Sequence, residues 1–467
     1  MPLDLHQSNV SLDNPIFSSM LDNLQANILK GHGRDFAHHL FFRFNDEAPG
    51  YCREWIRQFA YSSITSAKEQ LEQTKQFNEH EITDGGPIIT LSLSSSGYDK
   101  LNLTSSKPTS SAFQNGLSGS AELLNDDKRN WEEAFGEQVD MLIIIADDDR
   151  SNAEGLAVQI INQASRFATL LIDQKGNVLK MINGIGIEHF GYADGISQPL
   201  YMENEIEKQA LNKHWRDDTY LFLLLAADPG TEVEDSFGSY LVFRKLEQNV
   251  KGFNTAEKSL PTVNDVNGDD NDDLAGALLV GRFENSMPVA ITSIDFQSNP
   301  PCTTNDFDYS NDTSALRCPF HAHTRLMNPR NGDTVAGDVR EHRITRRGIP
   351  YDEVGRIPEG KHASITEEML DDNQPESGVG LLFMCYQSQI ENQFEILQGF
   401  WANNGQIGPH SIGTQDSLIS QGTNPDKTLP IQWGHSGQCN PFKFQKFVTM
   451  KGGEYFFTPS VSFLKSI

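Results

Sequence analysis

The chain alternates short apolar runs with stretches of helical period. His39–Phe44 is a compact apolar run after a glycine-containing stretch and predicts a strand. Cys52–Gln76 sets Trp55, Phe59 and Leu71 among polar residues at helical spacing. Pro87–Leu93 and Gln138–Ala146 predict two more strands. Asn152–Leu171 predicts a helix on the recurrence of Ala157, Ile160, Ile161 and Ala164. The order strand, helix, strand, strand, helix suits an α+β arrangement, with helices on one face of a mainly antiparallel sheet. The second half repeats the theme more loosely. Ser239–Arg244 and Gly380–Gln387 predict strands, and Ile390–Trp401 predicts an amphipathic helix with Ile390, Phe394, Leu397 and Trp401 on one stripe. The longest apolar runs, Tyr220–Ala227 and Met141–Ala146, are far too short to span a bilayer and predict buried strands. The first 18 residues predict a polar arm, and Thr262–Asp273 and Ser298–Asp312 predict loops. No fixed-period repeat is present.

Composition narrows the classes. A chain of 467 residues suggests two to four domains at ~100–200 residues each. With 64 acidic against 37 basic residues the formal charge is −27, which disfavours nucleic acid and anionic membrane as partners. Five scattered cysteines without a CxxC pair argue against a disulfide framework, a zinc ribbon and covalent haem attachment through CxxCH. They predict a reducing, cytoplasmic setting. The N-terminal residues lack the basic start and apolar core of a secretory signal. The acidic run TVNDVNGDDNDD fails as a calcium loop. Counted from Asp265, the sixth and twelfth positions hold Asp270 and Gly276, where Gly and Glu are required. A solvated loop is the reading.

Three stretches carry candidate chemistry. In EHFGYADGISQP, Gly191 and Gly195 bracket Asp194. This is either a turn in which Asp194 bonds its own backbone or a lone carboxylate on a pocket wall that shuttles a proton. No GxGxxG accompanies it, so a dinucleotide site is not indicated. In CPFHAHTRLMNPR, His321 and His323 form an HxH pair. The pair reads as metal ligands on one face of an extended segment, as a single imidazole on one side of haem iron, or as a hydrogen-bonded turn. In RITRRGIPY, Arg343, Arg346 and Arg347 lie within five residues. They read as a salt-bridged loop or as a guanidinium that stabilises negative charge in a pocket.

Taken in order, GxxDG, CPFxAHxRxxNPR and RRGIPY resemble the dye-decolorising peroxidase family. The flanks LQANILKGH, GSYLVFRKLEQNV, LLVGRFENSMPV and GLLFMCYQSQIENQFEILQGFW extend the resemblance from about Leu24 to about Phe457. It implies two ferredoxin-like α+β domains, each a mainly antiparallel sheet with peripheral helices: an arm over 1–18, one domain over 19–215 and one over 216–467. It implies one non-covalent haem b per chain in the C-terminal half. His323 is then the axial iron ligand and Asp194 the distal acid–base. Arg346, four residues before Pro350, is the distal arginine, with Arg347 its neighbour. Ile196, Arg325 and Arg330 contact the cofactor, and Leu381 and Phe383 form the distal wall. His321 occupies a position that is usually small and non-ligating. Asp416, in TQDSLI, resembles the acid that orients the axial imidazole, although Ser417 and Ser420 stand where Pro and Gly are usual. The implied substrates are hydrogen peroxide and dye, phenol or other aromatic one-electron donors. Trp401, Trp433 and Tyr351 are candidate electron relays, and the implied state is a monomer or homodimer. The alternatives are a haem-binding, iron-releasing protein on the same fold, and a non-haem metal oxidase using His321 with His323.

Overall fold

The computed structural model describes residues 2–46, 49–80, 85–208, 217–296, 304–330, 339–358, 360, 363–407, 410–411, 413–422 and 424–467. The expected domain boundary at 215/216, part of the Ser298–Asp312 loop and Cys302 lie outside the described residues.

The first half runs β1 (Phe36–Phe44), α1 (Pro49–Ser62), α2 (Ala67–His80), β2 (Ile88–Ser94), β3 (Met141–Asp147), α3 (Arg150–Ala164) and β4 (Ala168–Asn177). The second half supplies β5 (Phe237–Gln248), β6 (Thr345–Arg346), β7 (Ile349–Asp352), β8 (Val379–Gln387) and β9 (Val448–Thr458). All belong to one ten-stranded antiparallel sheet whose main path is β7–β8–β5–β9–β2–β3–β1–β4. Each half carries the same order: second strand, third, first, fourth. That is the ferredoxin-like pattern, used twice. The halves join where Phe456 and Phe457 of β9 pair with Ser94 and Leu93 of β2. At the far ends β7 packs on β4, so the sheet curls into a barrel. Gly176 permits this closure, since a Cβ there would lie 2.6 Å from Ile349 Cγ2.

Alternating strand residues divide the core. Phe41, Leu142, Ile144, Leu241, Phe243, Leu382, Met384 and Phe456 pack on one face, and Leu40, Phe42, Ile143, Ile145, Val242 and Phe457 on the other. Both faces are buried, which is why β1 and β3 read as near-continuous apolar runs.

Several elements differ from the sequence reading. Cys52–Gln76 falls in two helices, because Ser66 and Glu69 form a capping box: Glu69 N donates to Ser66 Oγ at 3.2 Å and Ser66 N to Glu69 Oε2 at 2.7 Å. The helix expected over Asn152–Leu171 ends at Ala164, and Ala168 onward pairs with β1 as a strand. Its apolar residues fit either period, and the vacant edge of β1 decides. Tyr220–Ala227 is a tight 3₁₀ turn at Leu221–Leu223 followed by a two-residue strand. Ile390–Trp401 is helical only in its latter part, and Ile396–Ala402 there is a wide π turn. The acidic stretch contains a small hairpin, Val263–Asn264 with Asp270–Asn271. The N-terminal arm is not merely polar. Leu3, Val10 and Phe17 are buried, and Val10 N donates to Tyr201 O at 2.8 Å.

The two halves are also bolted together by a buried ion pair. Arg244 of β5 holds Asp126 through two hydrogen bonds of 2.7 and 2.9 Å, with side chains 2% and 0% exposed. Removing one partner from such a pair strands a charge out of water. Asp126→Asn is expected to cost about 3–5 kcal/mol in a denaturant unfolding curve. A loss within ~0.5 kcal/mol would show that the pair does not bolt the halves.

Candidate active site

The loop after β4 carries Asp194. It doubles back on itself: Ile187 bridges Ala193, Glu188 N donates to Tyr192 O at 3.0 Å, and Asp194 N donates to Gly186 O at 3.0 Å. The Glu188 carboxylate accepts from Phe190 N at 2.9 Å and Tyr192 N at 3.0 Å, and burial pushes its pKa up to about 7. Gly191 takes φ 103°, which side chains rarely adopt. The doubled-back segment holds the Asp194 carboxylate at its base, opposite the turn at Phe190–Gly191. Oδ1 accepts from Gly195 N at 2.6 Å and from Arg346 Nη1 at 2.7 Å. Burial favours the neutral carboxyl, but the Arg346 guanidinium and the Gly195 N–H outweigh it and hold the group below the usual carboxylate range. Among the described residues Oδ2 accepts no hydrogen bond.

Arg346 lies on β6, opposite Cys385 of β8, and Gln198 Oε1 accepts from its backbone N at 3.2 Å. Its neighbour Arg347 points elsewhere. That guanidinium donates to the carbonyls of Asn27 at 2.7 Å, Ile28 at 2.8 Å and Arg346 at 2.9 Å. The pairing with Asp194 therefore falls to Arg346 alone. Leu381 and Phe383 sit on one face of β8 and are half-buried, whereas Leu382 and Met384 between and beyond them are fully buried. Ile196 is half-buried just past Gly195.

His323 opens α4 (His323–Met327). Its Nδ1 lies 2.8 Å from Asp416 Oδ2. Burial opposes charge on the ring, but the Asp416 carboxylate raises its proton affinity above the usual value. Asp416, likewise opposed by burial, is held below the carboxylate range by His323 and by the N–H groups of Leu418 and Ile419. An ionised Asp416 fixes the proton of the neutral ring on Nδ1 and leaves the Nε2 lone pair free. Among the described residues Nε2 has no hydrogen-bond partner. The Arg346 and Asp194 charges both act on this ring, so the two constellations belong to one site. Their side chains are 28%, 29% and 32% exposed for His323, Arg346 and Asp194, while Asp416 is wholly buried.

The serines that depart from the expected motif are used. Ser417 Oγ donates to His321 O at 3.1 Å and lies 3.1 Å from His321 Nδ1, and Ser420 Oγ donates to Asp416 O at 2.7 Å. His321 is buried, and its Nε2 lies 3.1 Å from Thr428 O. With both nitrogens engaged it does not join His323 as a metal ligand. Among the described residues no group of three or more His, Cys, Asp and Glu could hold a metal ion. The non-haem alternative is set aside on this geometry.

Arg325 and Arg330 are both buried. The Arg325 guanidinium lies on Asp312 Oδ2 at 2.9 Å and Cys318 O at 2.6 Å and stacks on Tyr309 and Phe320, which braces the loop before His323. Arg330 is buried on the carbonyls of Asn305 and Phe307, both at 2.7 Å, with Ser197 Oγ at 3.5 Å. Trp401, Trp433 and Tyr351 are all buried, so none meets a bulky donor directly. Sequence reasoning gives no role to Gln198 or Ser197, although both stand in the quoted GISQP. Their partners lie over a hundred residues away, and no spacing signals them.

The donor set fits haem. A neutral imidazole with a fixed tautomer and a free Nε2 suits one axial position, and half-buried apolar side chains suit the face of a macrocycle. A carboxylate–arginine pair within electrostatic reach suits the open side.

A family model for the DyP dimeric alpha+beta barrel domain matches residues 23–178, and one for the Dyp-type peroxidase C-terminal domain matches 191–408. The multifunctional dye peroxidase DyP2 of an Amycolatopsis strain is 35% identical over 96% of this chain and 96% of its own. The solved DyP-type peroxidase of Anabaena superposes with a TM-score of 0.87 at 36% identity, covering 99% of this chain and 98% of the other. A dye-decolorizing peroxidase solved in complex with 2,6-dimethoxyphenol superposes at 0.75 with 25% identity, covering 96% and 98%.

If Nε2 of His323 is the free axial donor, His323→Ala is expected to abolish saturable haem uptake in a Soret titration, while His321→Ala keeps it. Asp416→Asn should weaken uptake by about 10–100-fold. Equal uptake by wild type and His323→Ala would refute the assignment.

Proposed function

Because the chain belongs to the DyP-type peroxidase family, and is therefore a peroxidase, we propose that it reduces hydrogen peroxide at a single non-covalent haem b and oxidises dyes and phenols, with Asp194 and Arg346 as its catalytic residues. The observation that carries this is the ion pair between Asp194 and Arg346 within electrostatic reach of a histidine whose Nε2 is free. The family relatives named for dyes and the neighbour bound to 2,6-dimethoxyphenol support the choice of donors. The free thiols of Cys52, Cys385 and Cys439 support a reducing, cytoplasmic setting. No described helix is long and apolar enough to cross a membrane.

When bound, haem supplies the redox centre that takes two oxidising equivalents from peroxide and passes them to donors one at a time. The protein's own part is proton handling and charge. Asp194 Oδ1 is occupied by Gly195 and Arg346, so Oδ2 is the oxygen that takes a proton from one peroxide oxygen and returns it to the other. Arg346 keeps Asp194 ionised and stabilises negative charge on the departing oxygen. Leu381 and Phe383 keep the space in front of β8 apolar. Asp416 holds the His323 proton on Nδ1 and so strengthens Nε2 as a donor.

The sign of the pH dependence follows from Asp194. Its pKa is lowered, so the basic form persists as pH falls below the ordinary Asp value of ~3.9, whereas a histidine base would be lost below ~6.5. Dye oxidation is expected to keep its rate in acid, with no fall as pH drops through the histidine range near ~6.5. Asp194→Asn should lower kcat/KM for peroxide by about 10²–10⁴-fold at every pH. A profile that rises toward alkaline pH with several donors, or an Asp194→Asn enzyme within a few-fold of wild type, would overturn the proposal.

A further inference from the structure

The loop that carries Asp416 closes on itself. Oδ1 of Asp416 accepts from Leu418 N at 2.7 Å and Ile419 N at 2.8 Å, and Ser420 Oγ returns to Asp416 O. These bonds shape the loop but do not fix where it stands relative to His323. External bonds fix it on two sides: Ser417 N and Oγ donate to His321 O at 3.2 and 3.1 Å, and the other bonds come from the end of the π turn. Asp416 N donates to Ala402 O at 2.9 Å, a last-turn carbonyl. Gln421 N, at the far end of the loop, donates to Asn403 Oδ1 at 2.7 Å. Gln398 Nε2 lies 3.1 Å from both Asn403 Oδ1 and Ile419 O.

Asn403 is fully buried, and its remaining polar atom is also used: Nδ2 donates to Leu124 O at 2.8 Å. Only one orientation of the amide works. The oxygen must face Gln421 and Gln398 and the nitrogen must face Leu124. Leu124 stands two residues before Asp126, which is held by Arg244. A continuous set of bonds therefore runs from the buried ion pair through Leu124, Asn403 and Gln421 to the loop that presents Asp416.

We infer that Asn403 is a positioning residue for Asp416, and through it for His323, with the segment before Asp126 of the first half as its footing. The inference rests on the proposed role of Asp416. A hydrogen bond of 2.8 Å weakens steeply as it lengthens or bends, so freeing one end of the loop loosens the grip on Nδ1. A weaker grip makes Nε2 a poorer donor to oxidised iron and raises the reduction potential.

The test uses the full-length, haem-reconstituted protein and reads the ferric/ferrous midpoint potential and the thermal midpoint, neither of which needs turnover. The variants are Asn403→Ala, Asn403→Ser (which keeps a buried hydroxyl and guards against a folding failure of the alanine), Asp416→Asn and the two double variants. The expected result is a raised potential in both Asn403 variants, smaller than the rise in Asp416→Asn, and no further rise when either is added to Asp416→Asn. A raised potential in Asp416→Asn with none in the Asn403 variants would overturn the inference and leave the role of Asp416 intact. So would a rise from Asn403→Ser that persists in the Asp416→Asn background. An unmoved potential in Asp416→Asn would overturn the role of Asp416 and the inference together.

Discussion

A carboxylate withdrawn from water needs a cation or a set of hydrogen bonds, and the site is organised around two aspartates that meet this need differently. Asp194 is bound on one oxygen only, by Arg346 and Gly195, which leaves the other oxygen for a proton. Asp416 uses both: one takes two backbone N–H groups and the other takes His323. The first arrangement suits a group that must exchange a proton. The second suits a group that must hold one still. Both aspartates are kept ionised against the pull of burial, so each depends on its partner staying in place.

The fold provides the partners by joining two ferredoxin-like sheets edge to edge. Asp194 sits on the connection between the halves. Arg346, Leu381 and Phe383 come from the second sheet, and His323 and Asp416 come from long insertions around it. None of these segments is regular for long. Each is pinned by side chains that bond backbone: Glu188 on the Asp194 loop, Arg325 before His323, Asn403 behind Asp416. Buried polar groups of this kind specify one geometry because a misplaced segment leaves several of them unpaired at once.

The strands β1, β2, β3, β5 and β8 were legible because strands buried on both faces read as dense apolar runs. β4 was not, because its residues fit a helix extension equally well and pairing with β1 decides. The break at Ser66 was legible in principle, since SAKE spells a capping box. Closure of the barrel was not, because it rests on the absence of a side chain at Gly176 facing Ile349. At the site, Asp194, His323 and Arg346 stood out through ordered motifs. The structure adds why Arg346 rather than Arg347 meets Asp194: the second guanidinium is tied to the N-terminal segment. For Arg325 the motif position records that an arginine is needed, not that it touches Asp312 and Cys318. Asn403 gave no signal, since its partners at 124 and 421 are distant in sequence.

In the proposed mechanism Asp194, freed on one oxygen and ionised by Arg346, moves the first proton of peroxide reduction. The most direct measurement is the stopped-flow absorption change of haem-reconstituted protein mixed with one equivalent of hydrogen peroxide, wild type beside Asp194→Asn, with no donor present. A fast Soret change is expected in wild type and a change slowed by at least about a hundredfold in the variant, with both proteins starting from the same resting spectrum. Equal rates would contradict it.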